Sequence, residues 1–138
     1  MEYSYSFEKL EVWQCARKYV RVIYALTATF PKNETFGLSS QLRRAVVSIP
    51  SNIAEGSSRS SIKDQIRFIE IAYGSALETY CQLTSAFDLN FITELQYSET
   101  KQLLQEITNK LNALRNSKLL RLNKDTNSPN FPNNQITK

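Results

Sequence analysis

The chain has 138 residues, 41% hydrophobic and 22% charged, with 17 basic against 13 acidic side chains for a net charge of +4. That balance describes one domain able to bury its own core, and no apolar run approaches the ~18 residues of a membrane span. The absence of histidine excludes the Glu-x-x-His sites of di-iron bundles, most catalytic zinc centres and every Ser-His or Cys-His nucleophile.

The opening Met1-Glu-Tyr-Ser-Tyr-Ser-Phe-Glu8 lacks the basic-then-apolar order of a secretory signal, so a cytoplasmic chain with no membrane contact is expected. Helix 1 is predicted from about Glu8 to Thr29, where Trp13, Ala16, Val20, Ile23 and Thr27 recur at helical spacing. Cys15, Tyr19, Val22 and Leu26 form a second row, turned roughly 120° from the first. One stripe suffices to join a bundle, so two rows predict two partners for this helix. Its remaining face, Gln14, Arg17, Lys18 and Arg21, is polar and basic. Phe30-Pro31 and the turn-forming Lys32-Asn33-Glu34 stop the helix. So short a link makes helices 1 and 2 antiparallel neighbours.

Helix 2 places Leu38, Leu42, Ala45, Val46, Ile49 and Ile53 on a core face, with Val47, Pro50 and Ala54 as a second row. Pro50 deletes an internal donor, which costs about 3 kcal/mol in a helix interior. Either the helix stops at Ile49, or it is kinked and continues to about Glu55 with Gly56 closing it. The apolar phase survives the proline as far as Ile53, which favours the second reading. Ser57 to Ser61 is a polar connector. Ser61 followed by Asp64 is an N-cap with an acid in the first turn.

Helix 3 then runs to about Leu89 on the stripe Ile62, Ile66, Ile69, Tyr73, Ala76, Tyr80, Leu83 and Phe87. Phe68 and Ile71 lie off that stripe, and mid-helix Gly74 is expected to mark a close backbone approach. Asn90 suits the helix end. Thr93 to Gln96 fits a capping box opening helix 4, whose apolar stripe is Leu103, Ile107, Leu111 and Leu114 with Leu104 beside it. Residues 123–138 turn to Asn, Pro, Ser and Thr, and a disordered tail is expected there. The expected architecture is all-α, an antiparallel up-down-up-down four-helix bundle over residues 1–122.

Three constellations are candidates for function. The in-phase second rows, Cys15, Tyr19, Val22, Leu26, Val47, Pro50 and Ala54, with Phe68 and Ile71, predict an oligomer interface that leaves helix 4 toward solvent. Arg17, Lys18, Arg21, Arg43, Arg44, Arg59, Lys63 and Arg67 are candidates for a phosphate-binding surface repeated by symmetry. The competing reading is a solvated face whose charges pair with Glu8, Glu11, Glu55, Asp64 and Glu70. A third group, Arg44, Ser48, Asn52, Glu55, Glu70, Ser75 and Glu78, reads as structural, with Asn52 and Glu55 bonding across the proline break. Cys15 and Cys81 are not spaced as a redox or metal pair. With three glycines in the chain and no Gly-rich phosphate loop, no enzyme activity, cofactor or metal is expected.

The segments Leu10-Glu-Val-Trp13, Phe30-Pro31, Gly37-Leu38 through Gln41-Leu-Arg43-Arg44-Ala45 to Ser48-Ile-Pro50-Ser-Asn52-Ile-Ala54-Glu55-Gly56, and Ala72-Tyr-Gly74-Ser75-Ala-Leu77-Glu78 together resemble the 23S rRNA-intervening-sequence proteins, also called S23-like. The resemblance spans about residues 7–118, and its run from Gln41 to Gly56 is the most specific part. It implies a helical subunit assembling as a ring-like homopentamer. A similar bundle, the accessory variability determinant of diversity-generating retroelements, forms a basic pentamer that binds reverse transcriptase and nucleic acid. The resemblance brings no catalytic residues. The expectation is therefore a non-enzymatic homo-oligomer that binds nucleic acid, RNA foremost, through repeated basic surface. The alternative is a protein-interaction scaffold with no nucleic-acid role.

Overall fold

Local signals in the chain set the helix ends. The computed structural model describes residues 2–126, and among them four α-helices and two short 3-10 turns (Ser6–Lys9 and Lys32–Glu34) account for the regular structure, with no strand. The helices are α1 (Glu11–Thr27), α2 (Leu38–Ser57), α3 (Ile62–Asp88) and α4 (Glu94–Thr126). Ser61 Oγ accepts from the Asp64 N–H at 3.1 Å, which is the expected cap of α3. Thr93 and Gln96 exchange side-chain bonds with each other's N–H at 3.1 and 2.9 Å, closing the capping box of α4. At the other end of α3, Asn90 takes a left-handed φ of 62°. The Phe91 N–H returns to the Ala86 carbonyl at 2.8 Å and the Asn90 N–H to Phe87 at 3.0 Å, the pattern of a Schellman stop.

Cross-helix contacts fix an up-down-up-down order. Arg43 meets Thr27 where α1 ends and α2 begins. Ser48 meets Ser75 across α2 and α3, Arg115 meets Glu70 across α3 and α4, and Lys110 meets Glu11 across α4 and α1. The fully buried side chains Tyr19, Ile23, Leu42, Val46, Ile49, Leu83, Ile107 and Leu111 come from all four helices. None of the helices is long and apolar enough to cross a membrane.

Two expectations change here. Helix 1 does not carry two independent oily sides. Its buried seam is Val12, Ala16, Tyr19, Ile23 and Leu26, which threads between the two expected rows and draws on both. Tyr19 and Leu26 are thus core residues, not oligomer contacts. Tyr19 is fully buried, with its phenol 2.9 Å from Thr79 Oγ1. Thr79 spends its own hydrogen on the Ala76 carbonyl at 2.7 Å, so Tyr19 is the donor, and burial pushes its pKa up. The helix also starts later than expected, because Ser6–Lys9 forms a separate 3-10 turn.

The second change concerns the glycines. α2 continues through Pro50 to Ser57, held on both sides of the proline by buried Val46, Ile49 and Ile53. Gly56 does not close it with a left-handed turn, since no glycine has positive φ. Gly56 instead lies where α3 presses against α2: a Cβ there would sit 2.8 Å from Phe68 Cβ. Gly74 was the residue expected to mark close approach, yet a Cβ there would meet nothing within 4 Å. α4 reaches Thr126, past the expected boundary at Leu122; residues 127–138 of the expected tail lie outside the described residues.

Opposite outcomes follow for one substitution at two glycines. Gly56→Ala should destabilise the chain by about 1–3 kcal/mol through overpacking. Gly74→Ala should stabilise it by about 1 kcal/mol through helix propensity. Urea unfolding of both variants checks this, and equal signs would contradict the packing described.

Candidate nucleic-acid interface

The eight candidate cations divide into three groups. Arg59, Lys63 and Arg67 sit at the α2–α3 turn. Arg59 pairs with Glu55 at 3.5 Å and Arg67 with Asp64 at 3.8 Å. Both guanidiniums lie over the Phe68 ring, at 4.7 and 4.8 Å. Phe68 is therefore buried beneath its own chain's arginines and against Gly56, and is not a free oligomer contact. Lys18 stands apart from the others, in the α1–α4 groove with Val22, Leu26, Glu99 and Thr100.

The third group is coherent. Arg17, Arg21 and Tyr24 fall at i, i+4 and i+7 along one edge of α1, and Arg43 of α2 lies over Tyr24 at 4.7 Å. Arg44 and Lys32 extend this edge. None of Arg17, Arg21, Lys32, Arg43 and Arg44 has a carboxylate partner among the described residues. The acids expected to pair with the candidate cations bond other groups. Glu11 binds Lys110 at 3.1 Å and Glu70 binds Arg115 at 2.7 Å, while Glu8 accepts from the Tyr5 N–H at 2.8 Å. Lys110 is raised in pKa by the hydrogen bond it donates to Glu11.

The edge ends in a cavity of about 600 Å³ between the last turn of α1 and the first turns of α2. Tyr24, Lys32, Ser39, Ser40, Arg43 and Arg44 are among the residues lining it. Arg43 is held there by two hydrogen bonds, Nε to Thr27 Oγ1 at 2.8 Å and Nη2 to the Tyr24 carbonyl at 3.4 Å. A cation beside the C-terminal carbonyls of α1 also suits that helix's dipole. Arg44 donates to Ser40 Oγ at 3.2 Å. Glu34 Oε1 caps α2 by accepting from the Leu38 N–H at 3.1 Å. That carboxylate would lie 2.9 Å from a Cβ at position 37, so a side chain there would displace it from this position. Phe36, on the same loop, is 95% exposed.

Sequence reading did not single out Tyr24, Lys32, Phe36 or Ser39 for binding. The signal for Phe36 and Lys32 was present, since a short polar link bearing a lone aromatic beside a basic helix start is accessible by construction. Tyr24 and Ser39 join the site only through the α1–α2 packing.

Of the other residues expected at an oligomer interface, Val47 and Ile71 are exposed at 40% and 39%, and Pro50 and Ala54 are half-buried. Cys15 is half-buried, its thiol donating to Glu106 at 3.3 Å; burial first, and then that bond, raise its pKa. Val22 lines the α1–α4 groove. In the polar cluster, Ser48 and Ser75 hydroxyls meet at 2.8 Å, and Asn52 donates to the Ser48 carbonyl and hydroxyl at 2.8 and 2.9 Å. Neither Asn52 nor Glu55 reaches the Val46 carbonyl that Pro50 frees; Glu55 pairs with Arg59 instead. Among the described residues, no group of three or more Cys, Asp or Glu is placed to hold a metal ion.

Comparison with family models matches residues 8–113 to the 23S rRNA-intervening sequence protein, a span that takes in α1, α2, α3 and most of α4. The chain belongs to that family. Among solved structures, the chain is similar to a Bacteroides thetaiotaomicron protein of unknown function from the S23 ribosomal protein family, with 25% identity and a TM-score of 0.70. The alignment covers 76% of this chain and 95% of that one. No curated protein matched. The basic edge and its cavity lie wholly inside the family-matched span.

Proposed function

We propose that this 23S rRNA-intervening sequence protein is a non-enzymatic bundle that binds RNA along the α1–α2 edge. The observation carrying this reading is the row of five cations, Arg17, Arg21, Lys32, Arg43 and Arg44, with no carboxylate partner among the described residues. Positive charge left uncompensated along one edge matches a phosphodiester backbone, which it binds by releasing counterions and without reading sequence. Phe36 beside it offers an exposed ring on which a base can stack. The net charge of +4 per chain is modest, and repetition in an assembly multiplies it.

Self-association belongs to the same proposal. The uncovered Val47, Ile71 and half-covered Pro50 and Ala54 are the remaining contacts for a second copy, and the family resemblance implies five subunits. Light scattering should give a mass several times the 15.9 kDa of one chain. A single-chain mass at working concentration would remove symmetry from the proposal. The same uncovered side chains favour the competing reading, a scaffold for a protein partner without nucleic acid.

Salt dependence separates the two readings. If each of the five cations neutralises one phosphate, the log–log slope of single-stranded RNA affinity against salt should be roughly −3.5 per subunit engaged. Arg17→Gln with Arg21→Gln should flatten it by roughly 1.4. A slope near zero, or one indifferent to these substitutions, would exclude the edge as the binding surface.

A further inference from the structure

We propose that the cavity between the end of α1 and the start of α2 is a site for the phosphate monoester of a nucleotide, free or at the end of an RNA strand. The RNA-end source, though not the site itself, rests on the proposed RNA reading.

Charge is the first argument. Lys32, Arg43 and Arg44 line the cavity with no carboxylate among its described lining. Counting also Glu34 of the adjoining loop, which accepts from the Leu38 N–H at 3.1 Å, gives the least favourable balance. Three cations against one carboxylate leave two positive charges. A monoester carries about −1.5 to −2 at neutral pH, whereas a backbone diester carries one negative charge and would leave the excess unanswered.

The second argument is an unused donor. Ser39 is only 7% exposed and lines the cavity, and its hydroxyl makes no hydrogen bond among the described residues. The hydroxyl is not cut off from solvent; it opens into the cavity, where a ligand oxygen can take the hydrogen bond that water otherwise accepts. Beside it, the N–H groups of Ser39 and Ser40 belong to the first turn of α2 and have no intrahelical acceptor. The Leu38 N–H is taken by Glu34, and the Gln41 N–H already bonds the Gly37 carbonyl at 3.1 Å. These free donors favour an anion, while the C-terminal carbonyls of α1 on the other wall are answered by Arg43.

Preorganisation is the third. Two bonds and the Tyr24 ring fix the Arg43 guanidinium, which leaves its other N–H groups aimed by the fold rather than by the ligand. The volume of about 600 Å³ is that of a small-ligand site, larger than a bare anion needs.

The test is calorimetric titration of the full chain with a nucleoside 5′-monophosphate, its parent nucleoside and inorganic phosphate. The monophosphate should bind at least about tenfold tighter than the nucleoside, which lacks the charged acceptor. It should also bind tighter than inorganic phosphate, which leaves most of the cavity of about 600 Å³ unfilled. Arg44→Gln should weaken it by about tenfold and Ser39→Ala by about fivefold. Both side chains lie outside the hydrophobic core, and circular dichroism should confirm that these variants fold. Lys9→Gln, at the opposite end of the bundle, should change nothing. Monophosphate and nucleoside binding alike, or both cavity variants titrating as wild type, would overturn the site. Inorganic phosphate binding as tightly as the monophosphate would overturn the nucleotide assignment.

Two oligoribonucleotides differing only in a 5′-phosphate or 5′-hydroxyl separate the sources. A preference for the phosphorylated strand that Arg44→Gln abolishes assigns the site to RNA ends. Equal binding of the two strands, with monophosphate still bound, assigns it to free nucleotide. Salt-dependent binding of both strands with no monophosphate binding would sink the site and leave the broader RNA reading standing.

Discussion

The guanidinium of Arg43 lies across the last turn of α1, bonded to Thr27 Oγ1 and the Tyr24 carbonyl and stacked on the Tyr24 ring. This one side chain joins the end of α1 to the beginning of α2, and the cavity, the basic edge and the loop with Phe36 are arranged around that junction. Thr27 serves both sides of it. Its hydroxyl donates back to the Ile23 carbonyl at 2.8 Å and accepts from Arg43, so the α1 terminus is tied down from within and from α2. Gly37 and Glu34 do the matching work on the α2 side.

That junction gives α2 two tasks on one ridge. Arg43, Val47, Pro50 and Ala54 follow one another at spacings of a single helix row. The proposed phosphate contacts thus stand at one end of the row proposed for self-association. A subunit docked along the apolar part would place its neighbour beside the cavity, and ring assembly would then shape the mouth of the site as well as repeat its charge. Elsewhere charge is handled differently. At the α2–α3 turn, Arg59 and Arg67 cover Phe68 and pair with Glu55 and Asp64, so those arginines act as packing.

What could be read from the sequence was local. Ser61, Thr93 with Gln96, and Asn90 each act within three or four residues, and each holds its expected place. The rows on helix 1 were not readable to the same precision. Periodicity locates an apolar direction only to the width of a side chain, and a broad buried face looks like two narrow ones until its centre, Val12 with Ala16 and Tyr19, is known. Glycine leaves no side-chain signal at all, which is why the close approach expected at Gly74 is found at Gly56 instead. The pairing of charge was legible for Arg59 with Glu55, four residues apart. It was not legible for Lys110 with Glu11 or Arg115 with Glu70, separated by 99 and 45 residues. Those distant pairs tie Glu11 and Glu70 to α4, on other seams of the bundle than the α1–α2 edge.

The most direct test of that edge is backbone and arginine side-chain NMR of the chain titrated with single-stranded RNA. The account predicts that shifts concentrate on Arg17, Arg21, Lys32, Phe36, Arg43 and Arg44 and spare Arg59, Arg67 and the outer face of α4. Shifts centred on the α2–α3 turn or on α4, with the Arg43 junction silent, would contradict it.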